Sequence, residues 1–298
     1  MSFSAVRTSV FADGSNGGNP CPVVLDAGSL TAEQMRSLAA AWNQESVFVR
    51  DLDASENRVR IRFFVPNHEM EMCGHGMIAC IAVLVERGLL DYGDIRVETE
   101  LGPVVASCRE RDGTLRVSLD QFRPSFADTN PPKDAVARVL NVSVDEIATE
   151  LGPIRSVSTS RHKLLVPLRN AAILDQLAPD FEALWDLCDE YETTGFYPFA
   201  VSEDDEIDVE ARQFPSRAGY VEDPATGVAA CALAAYLTNY EVFDPKGEGE
   251  RTVRIAQGRA MGKPSLLRSR VEVTNGTIST TRVIGSADIE REETVTVK

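Results

Sequence analysis

The sequence lacks the features that mark several large functional classes. Basic residues are outnumbered: 30 Lys and Arg against 46 Asp and Glu give a formal net charge of -16. That argues against nucleic-acid binding, because neutralising phosphates needs clustered Lys and Arg. A soluble acidic surface is the simplest meaning of the charge. No stretch approaches the roughly 20 consecutive apolar residues of a membrane helix, so no membrane partner is expected. The first residues, Met1-Ser2-Phe3-Ser4-Ala5-Val6-Arg7, lack the basic region and apolar run of a secretory signal, and the expected location is cytoplasmic. The six cysteines, Cys21, Cys73, Cys80, Cys108, Cys188 and Cys231, include no C-x-x-C pair. Zinc knuckles and thioredoxin-like redox motifs are therefore not indicated, and the thiols are expected to be free and mostly buried. Histidine is scarce, with only His68, His75 and His162. Glu69 and Glu71 lie beside His68 in an extended stretch without a helical ligand motif, so no metal is expected.

What is present is two Gly-containing turns, each feeding an apolar helix-forming run. The first is Met72-Cys73-Gly74-His75-Gly76, followed by Met77 to Leu90; the second is Glu222-Asp223-Pro224-Ala225-Thr226-Gly227, followed by Val228 to Tyr240. Aligning Gly76 with Gly227 places Ala79 on Ala230 and Cys80 on Cys231. Each turn comes after a strand pattern ending in proline, Phe64-Val65-Pro66 and Gln213-Phe214-Pro215. Both helical runs are apolar nearly all round, as a fully enclosed helix should be.

The rest of the chain reads mainly as strands. Residues 5–11, 22–25, 47–49, 59–65, 96–99, 104–109 and 115–119 have strand patterns, as do 154–158, 163–166, 196–201, 207–214, 253–256, 266–274 and 277–283. Asp112-Gly113 and Asn275-Gly276 are two-residue hairpin signals. Thr31 with Gln34 forms a capping box for a helix ending near Trp42. Residues 134–140, 144–148 and 180–191 also read as helical, the last with Phe181, Leu184, Trp185 and Cys188 on one face. The pattern stops between Phe122 and Lys133, a polar stretch with Pro124, Pro131 and Pro132 that reads as a linker. The expected domains are 1–123 and 133–298, with the extreme C-terminal strand free to return to the first domain. Tight turns between neighbouring strands favour antiparallel sheets over a doubly wound parallel sheet. The fold class expected is α+β: two similar domains, each a mostly antiparallel sheet or barrel wrapped around a central apolar helix.

A helix start presents free N–H groups and partial positive charge, and so attracts carboxylates and phosphates. Two such starts, one per domain, suit an interdomain grip on a small anionic ligand, with Gly74, Gly76 and Gly227 allowing close backbone approach. Strand-to-helix turn geometry explains the glycines equally well. His75 has the chemistry to move a proton or donate to an anion, or simply to hold a structural hydrogen bond. Glu45 lies between a helix and a buried-looking strand, where partial desolvation suits general acid/base work; a surface glutamate is the plainer reading. Asp223 is a candidate acid and equally a helix cap. Cys73, beside a helix start, is expected to have a lowered pKa and to be able to act as a base. A two-base racemase needs a second such group at the other turn, and the nearest thiol there, Cys231, matches Cys80 instead.

Four segments in order resemble the phenazine-biosynthesis PhzF-like family, which shares its fold with diaminopimelate epimerase. They are Val10-Phe11 with Gly18-Asn19-Pro20-Cys21-Pro22-Val23-Val24; Asn43-Gln44-Glu45-Ser46-Val47-Phe48-Val49; Cys73-Gly74-His75; and Glu222 to Gly227. A weaker fifth is Gln257-Gly258 with Met261-Gly262-Lys263-Pro264-Ser265. The resemblance implies a homodimer and cofactor-free chemistry on a cyclic, amino-acid-like carboxylate in secondary metabolism. It assigns Glu45 as the acid/base that moves a proton and a double bond, with His75 and Asp223 positioning substrate and stabilising charge. Gly18, Asn19, Cys73, Gly74, Gly76, Thr226, Gly227 and Val228 are implied as substrate contacts. Val228 stands where a Ser is common, Gln44 where a Ser is common, and Gly76 where a Pro is common, which bears on the substrate more than on the chemistry. Two other readings stand beside this isomerase: an epimerase or racemase using Cys73, and a non-catalytic binder of small carboxylates.

Overall fold

A computed structural model describes residues 2–296. By its internal contacts the chain divides into two units: residues 2–12, 18–119 and 284–296 form the first, and residues 13–17 and 120–283 the second. Each combines a sheet with few helices, the α+β architecture expected.

In the first unit, strand Ser2–Val10 pairs antiparallel with Ala287–Thr296, from Ser2↔Thr296 to Val10↔Ala287, with an irregularity between Arg7 and Thr8. The C-terminal strand thus lies beside the N-terminal one. On its other side Ser2–Val10 meets Asn19–Pro20 and Val23–Val24. The sheet continues in parallel to Ser46–Asp53, antiparallel to Arg58–Phe64, in parallel to Gly93–Thr99, and antiparallel to Gly102–Arg111 and Thr114–Gln121. Asp112 and Gly113 both have positive φ, 54° and 72°, as a two-residue hairpin requires.

Helix α1, Ala32–Trp42, starts on the Thr31–Gln34 capping box. Its Met35 and Ala39 pack with Phe3, Ala5, Val24, Phe48 and Phe64 on one face of the sheet. Helix α2, Gly74–Glu86, packs against the strands that begin and end the unit and against Ser46–Asp53. Every residue from Gly76 to Val85 in α2 is buried. Consecutive residues Val47 and Phe48 serve opposite faces: Val47 reaches Gly76 of α2, while Phe48 joins the cluster around α1. That two-sided burial explains the unbroken apolar run at 47–49. Each large side chain sealed around α2 contributes roughly 1.5–3 kcal/mol through burial.

The second unit repeats the plan with a larger outer layer. Strands Arg155–Ser158 and His162–Pro167 pair antiparallel; His162–Pro167 and Gly195–Val201 run parallel. Val209–Ala211 links Gly195–Val201 to Gly249–Gln257, which pairs antiparallel with Ser265–Thr274. Helices α3 (Lys133–Leu140), α4 (Ala171–Asp175) and α5 (Phe181–Glu190) surround an outer core that includes Val136, Leu140, Leu164, Leu184, Phe196 and Phe214. Helix α6, Gly227–Asn239, is buried from Ala229 to Thr238 and packs on Ser265–Thr274 and Arg155–Ser158. Asn275 and Gly276 again have positive φ, 52° and 67°.

Three local expectations are corrected. The stretch read as a pure linker contains strand Ser125–Phe126, with Phe126 opposite Val157. Residues 144–148 form only a short 3-10 turn, Val144–Glu146. The strand expected over 207–214 splits into Val209–Ala211 and Phe214–Pro215. Pro198 is the cause of that split. Arg212 N–H donates to the Pro198 carbonyl at 3.0 Å, but proline has no N–H to return the bond.

Candidate active site

Glu45 is presented by the way α1 ends. Asn43 takes the left-handed conformation, φ 51° and ψ 43°, and its N–H bonds back to the Ala39 and Ala40 carbonyls. Gln44 N–H follows, bonding the Ala39 carbonyl at 3.2 Å, the pattern of a helix stop. Val47 then donates to Pro22 at 2.9 Å and enters the sheet. Glu45 is pinned between these two anchored points, with its side chain 18% exposed.

Across from it lies the start of α2. Cys73 is the N-cap, and its sulfur accepts the Gly76 N–H at 3.3 Å. The thiol donates to Glu45 Oε2 at 3.3 Å. His75, with its side chain 10% exposed, brings Nε2 to 3.5 Å from the same oxygen and Nδ1 to 3.3 Å from Cys73 Sγ. Glu45, Cys73 and His75 therefore form one compact cluster. His68 is not part of it; its carbonyl accepts from Val65 N–H in the loop before the turn.

The expected low pKa of Cys73 is overturned. Burial, then the Glu45 carboxylate and Cys21, push the thiol well above its ordinary value, against which the Gly76 N–H works only weakly. Cys21 is raised in the same way, by burial, Glu45 and Cys80. Desolvation and a neighbouring negative charge together outweigh the helix start. Cys73 is a protonated donor to Glu45, not a thiolate. Cys21, beside the same carboxylate, was not anticipated from sequence; its place in the Asn19-Pro20-Cys21 segment was its only signal.

The glycines at this turn have different physical reasons. A Cβ on Gly76 would meet Val47 Cγ2 at 2.7 Å and Phe63 Cδ1 at 3.1 Å, and its N–H is engaged by Cys73. Gly76 thus serves packing and the cap. A Cβ on Gly74 would meet nothing within 4 Å, so packing does not demand glycine there. Gly18, with φ +88°, is crowded by Ser9 Oγ and Val10 O, and Asn19 is buried in its short strand.

In the second unit the N-cap of α6 is Thr226, not Asp223. The Thr226 hydroxyl donates to Asp223 Oδ2. Asp223 N–H bonds the Gln213 carbonyl at 3.0 Å. Gln257, buried, ties this turn together: its Nε2 donates to Asp223 O at 2.7 Å and its Oε1 accepts from Thr226 N–H at 3.3 Å and from Tyr197 hydroxyl at 2.8 Å. Burial and then Asp223 push the Tyr197 phenol well above its usual range. Gly227 opens the helix over Val283, 3.3 Å from where its Cβ would stand, and Val228 carbonyl accepts from Thr159 hydroxyl at 3.4 Å. Neighbouring Glu222 is locked to Arg212 by bonds of 2.9 and 2.8 Å. Gln257 and Tyr197 were absent from the expected site residues: Gln257 showed only as part of the weaker Gln257-Gly258 segment, and Tyr197 had no local sequence pattern.

The phenazine biosynthesis-like (PhzC–PhzF) family profile matches residues 8–293, almost the whole chain. The chain belongs to this family. A protein named an uncharacterized isomerase from Deinococcus radiodurans is 33% identical over 281 residues, covering 92% of this chain and 89% of the relative. The trans-2,3-dihydro-3-hydroxyanthranilate isomerase of Pseudomonas aeruginosa is 30% identical over 276 residues, covering 90% of each. A solved structure of a PhzF-family phenazine biosynthesis protein from Bacillus anthracis matches with a TM-score of 0.91 at 27% identity, covering 100% of both chains. The protein is an isomerase of the PhzF family. Among the described residues, no helix is long and apolar enough to cross a membrane.

Proposed function

We propose that this isomerase moves a proton, and with it a double bond, within a small cyclic or unsaturated amino-acid-like carboxylate, with Glu45 as the acid/base. The observation that carries the reading is the cluster itself: a partly desolvated carboxylate whose Oε2 is met by both Cys73 and His75. In the forward step Glu45 takes a proton from a substrate C–H. The released electron pair forms the new double bond, the old double bond shifts, and Glu45 returns the proton to its far carbon. Atoms and charge balance without a redox partner, as expected of cofactor-free chemistry.

His75 and the start of α2 at Gly74 are proposed to stabilise negative charge as it develops on the substrate. Asp223, Thr226, Gly227 and Val228 are proposed as further substrate contacts, held in place by Gln257. Secondary-metabolite biosynthesis and a homodimer complete the proposal; light scattering coupled to size-exclusion chromatography tests the dimer.

The epimerase reading built on Cys73 is weaker. Racemisation by two bases needs groups on opposite faces of one carbon, so Glu45, which Cys73 touches, is not the non-Cys partner that reading needs, and the buried Cys73 thiol is pushed up and away from a base. The test is turnover in D₂O of trans-2,3-dihydro-3-hydroxyanthranilate and a panel of cyclic unsaturated amino carboxylates, followed by NMR. Deuterium at the carbon that gains the proton supports the isomerase. Deuterium only at the α-carbon of saturated amino acids supports the epimerase, and tight binding of the panel without exchange supports the carboxylate binder.

A further inference from the structure

The same cluster has a second chemical character that proton transfer does not use. A thiol, an imidazole and a carboxylate are the donor types that zinc proteins combine. Here all three meet around one point: Cys73 Sγ to Glu45 Oε2 is 3.3 Å, His75 Nε2 to Glu45 Oε2 is 3.5 Å, and Cys73 Sγ to His75 Nε2 is 3.9 Å. Zinc bond lengths of about 2.3 Å to sulfur and about 2.0–2.2 Å to nitrogen and oxygen, at tetrahedral angles, put donors about 3.4–3.6 Å apart. Each observed separation lies within about 0.3 Å of that range, so ligand atoms need only small movements to close on an ion.

We propose that Glu45, Cys73 and His75 form a binding site for a soft divalent transition metal, zinc above all, whose occupancy blocks the enzyme. Blocking rests on the reading of Glu45 as the acid/base; binding does not. The thiolate ligand selects against magnesium and calcium, which prefer all-oxygen sites. Two ligands come from the first turn of α2 and its cap, and the third from the anchored corner after α1, so the site is carried by ordered backbone. The Gly76 N–H already donates to the sulfur and is placed to steady it as a metal-bound thiolate. The thiol is protonated in the metal-free enzyme, and a coordinated ion displaces that proton outright. With three protein ligands, a fourth position stays open for water or a substrate carboxylate. An ion seated there occupies Glu45 Oε2 and holds the carboxylate away from a carbon acid.

The experiment is a Co²⁺ titration of the full chain, reduced and oxygen-free, followed by thiolate-to-cobalt charge-transfer absorption in the near ultraviolet. The expected result is a band saturating at one ion per chain and removed by Zn²⁺. In Cys73→Ser the band should vanish, and in His75→Ala Zn²⁺ affinity should fall by more than about 100-fold, since losing only an outer partner costs about 10- to 100-fold. Cys188→Ser, a buried thiol of the other unit, should keep the whole band. Circular dichroism checks folding, and His75→Ala carries the test if Cys73→Ser does not fold. No stoichiometric band in the wild type, or an undiminished band in Cys73→Ser or His75→Ala, overturns the site. A band of the expected kind with turnover unimpaired by one equivalent of Zn²⁺ supports the site and removes Glu45 from the role of base.

Discussion

Arg212 offers the sharpest test of what holds the second turn in place. Its guanidinium makes paired bonds to Glu222 and donates through NH1 to the carbonyls of Leu174, Asp175 and Leu177 at 3.0, 3.3 and 3.0 Å. The ion pair is largely sealed from water, with side chains 11% and 12% exposed. Replacing Arg212 with Met keeps an apolar stem over Phe214 but strands the Glu222 charge and three carbonyls. Breaking one side of a buried pair costs about 3–5 kcal/mol. For a unit of this size that corresponds to a fall in melting temperature of about 6–20 °C. Thermal and urea unfolding by circular dichroism measure it. The double variant Arg212→Met/Glu222→Met removes the stranded charge, so it should be no less stable than the Arg212 variant alone. Losses that simply add, or a single-variant loss under about 1 kcal/mol, would refute the reasoning, because both describe an exposed pair and not a buried strut.

Other expectations concern the turn glycines, the Gln257 network and the thiols. Gly76→Ala should cost about 1–3 kcal/mol through overpacking against Val47 and Phe63, whereas Gly74→Ala, with open space around it, should stay within about 0.5 kcal/mol; urea midpoints separate them. Tyr197→Phe removes the donor to Gln257 Oε1 and should cost about 1–2 kcal/mol, read by the same midpoints. Burial pushes the Cys80, Cys188 and Cys231 thiols up to about 12 and Cys108 up to about 11. A raised thiol pKa lowers the thiolate fraction at any fixed pH, to about 10⁻⁴ at pH 8 for a pKa near 12. Iodoacetamide at pH 8 should therefore leave the native chain nearly unlabelled, Cys73 included, and label all six thiols after unfolding; rapid native labelling of Cys73 contradicts its assignment as a protonated donor.

Much of the fold was readable because local chemistry and tertiary structure agree. The Thr31–Gln34 box starts α1, Asp112-Gly113 and Asn275-Gly276 turn where their positive φ is needed, and the all-apolar runs at Met77 and Val228 are the enclosed helices. What escaped depends on partners distant in sequence. A C-terminal strand free to return to the first domain was expected, but the bounds of Ala287–Thr296 and its pairing with Ser2–Val10 were not, since it carries charges at residues 290–293. Helix α4 is only five residues long. The split at Arg212 depends on Pro198, a residue on the neighbouring strand. At the site, the Glu45, Cys73 and His75 segments were each visible, but their meeting was not. The protonation of Cys73 ran opposite to the helix-start argument, since nothing local reveals that Glu45 and Cys21 lie beside it. Tyr197 was silent for the same reason, and Gln257 showed only within the weaker fifth segment.

The central claim is that Glu45 moves the proton, and solvent exchange tests it most directly. Wild type and Glu45→Gln, both shown to be folded, are incubated in D₂O with the panel of cyclic unsaturated amino carboxylates, and deuterium in substrate and product is followed by NMR. The wild type should incorporate deuterium at the carbon that gains the proton, and Glu45→Gln should slow that incorporation by at least about 10²- to 10⁴-fold while still binding the ligand. Exchange by Glu45→Gln within about tenfold of wild type, well short of a general acid/base contribution, would contradict the account.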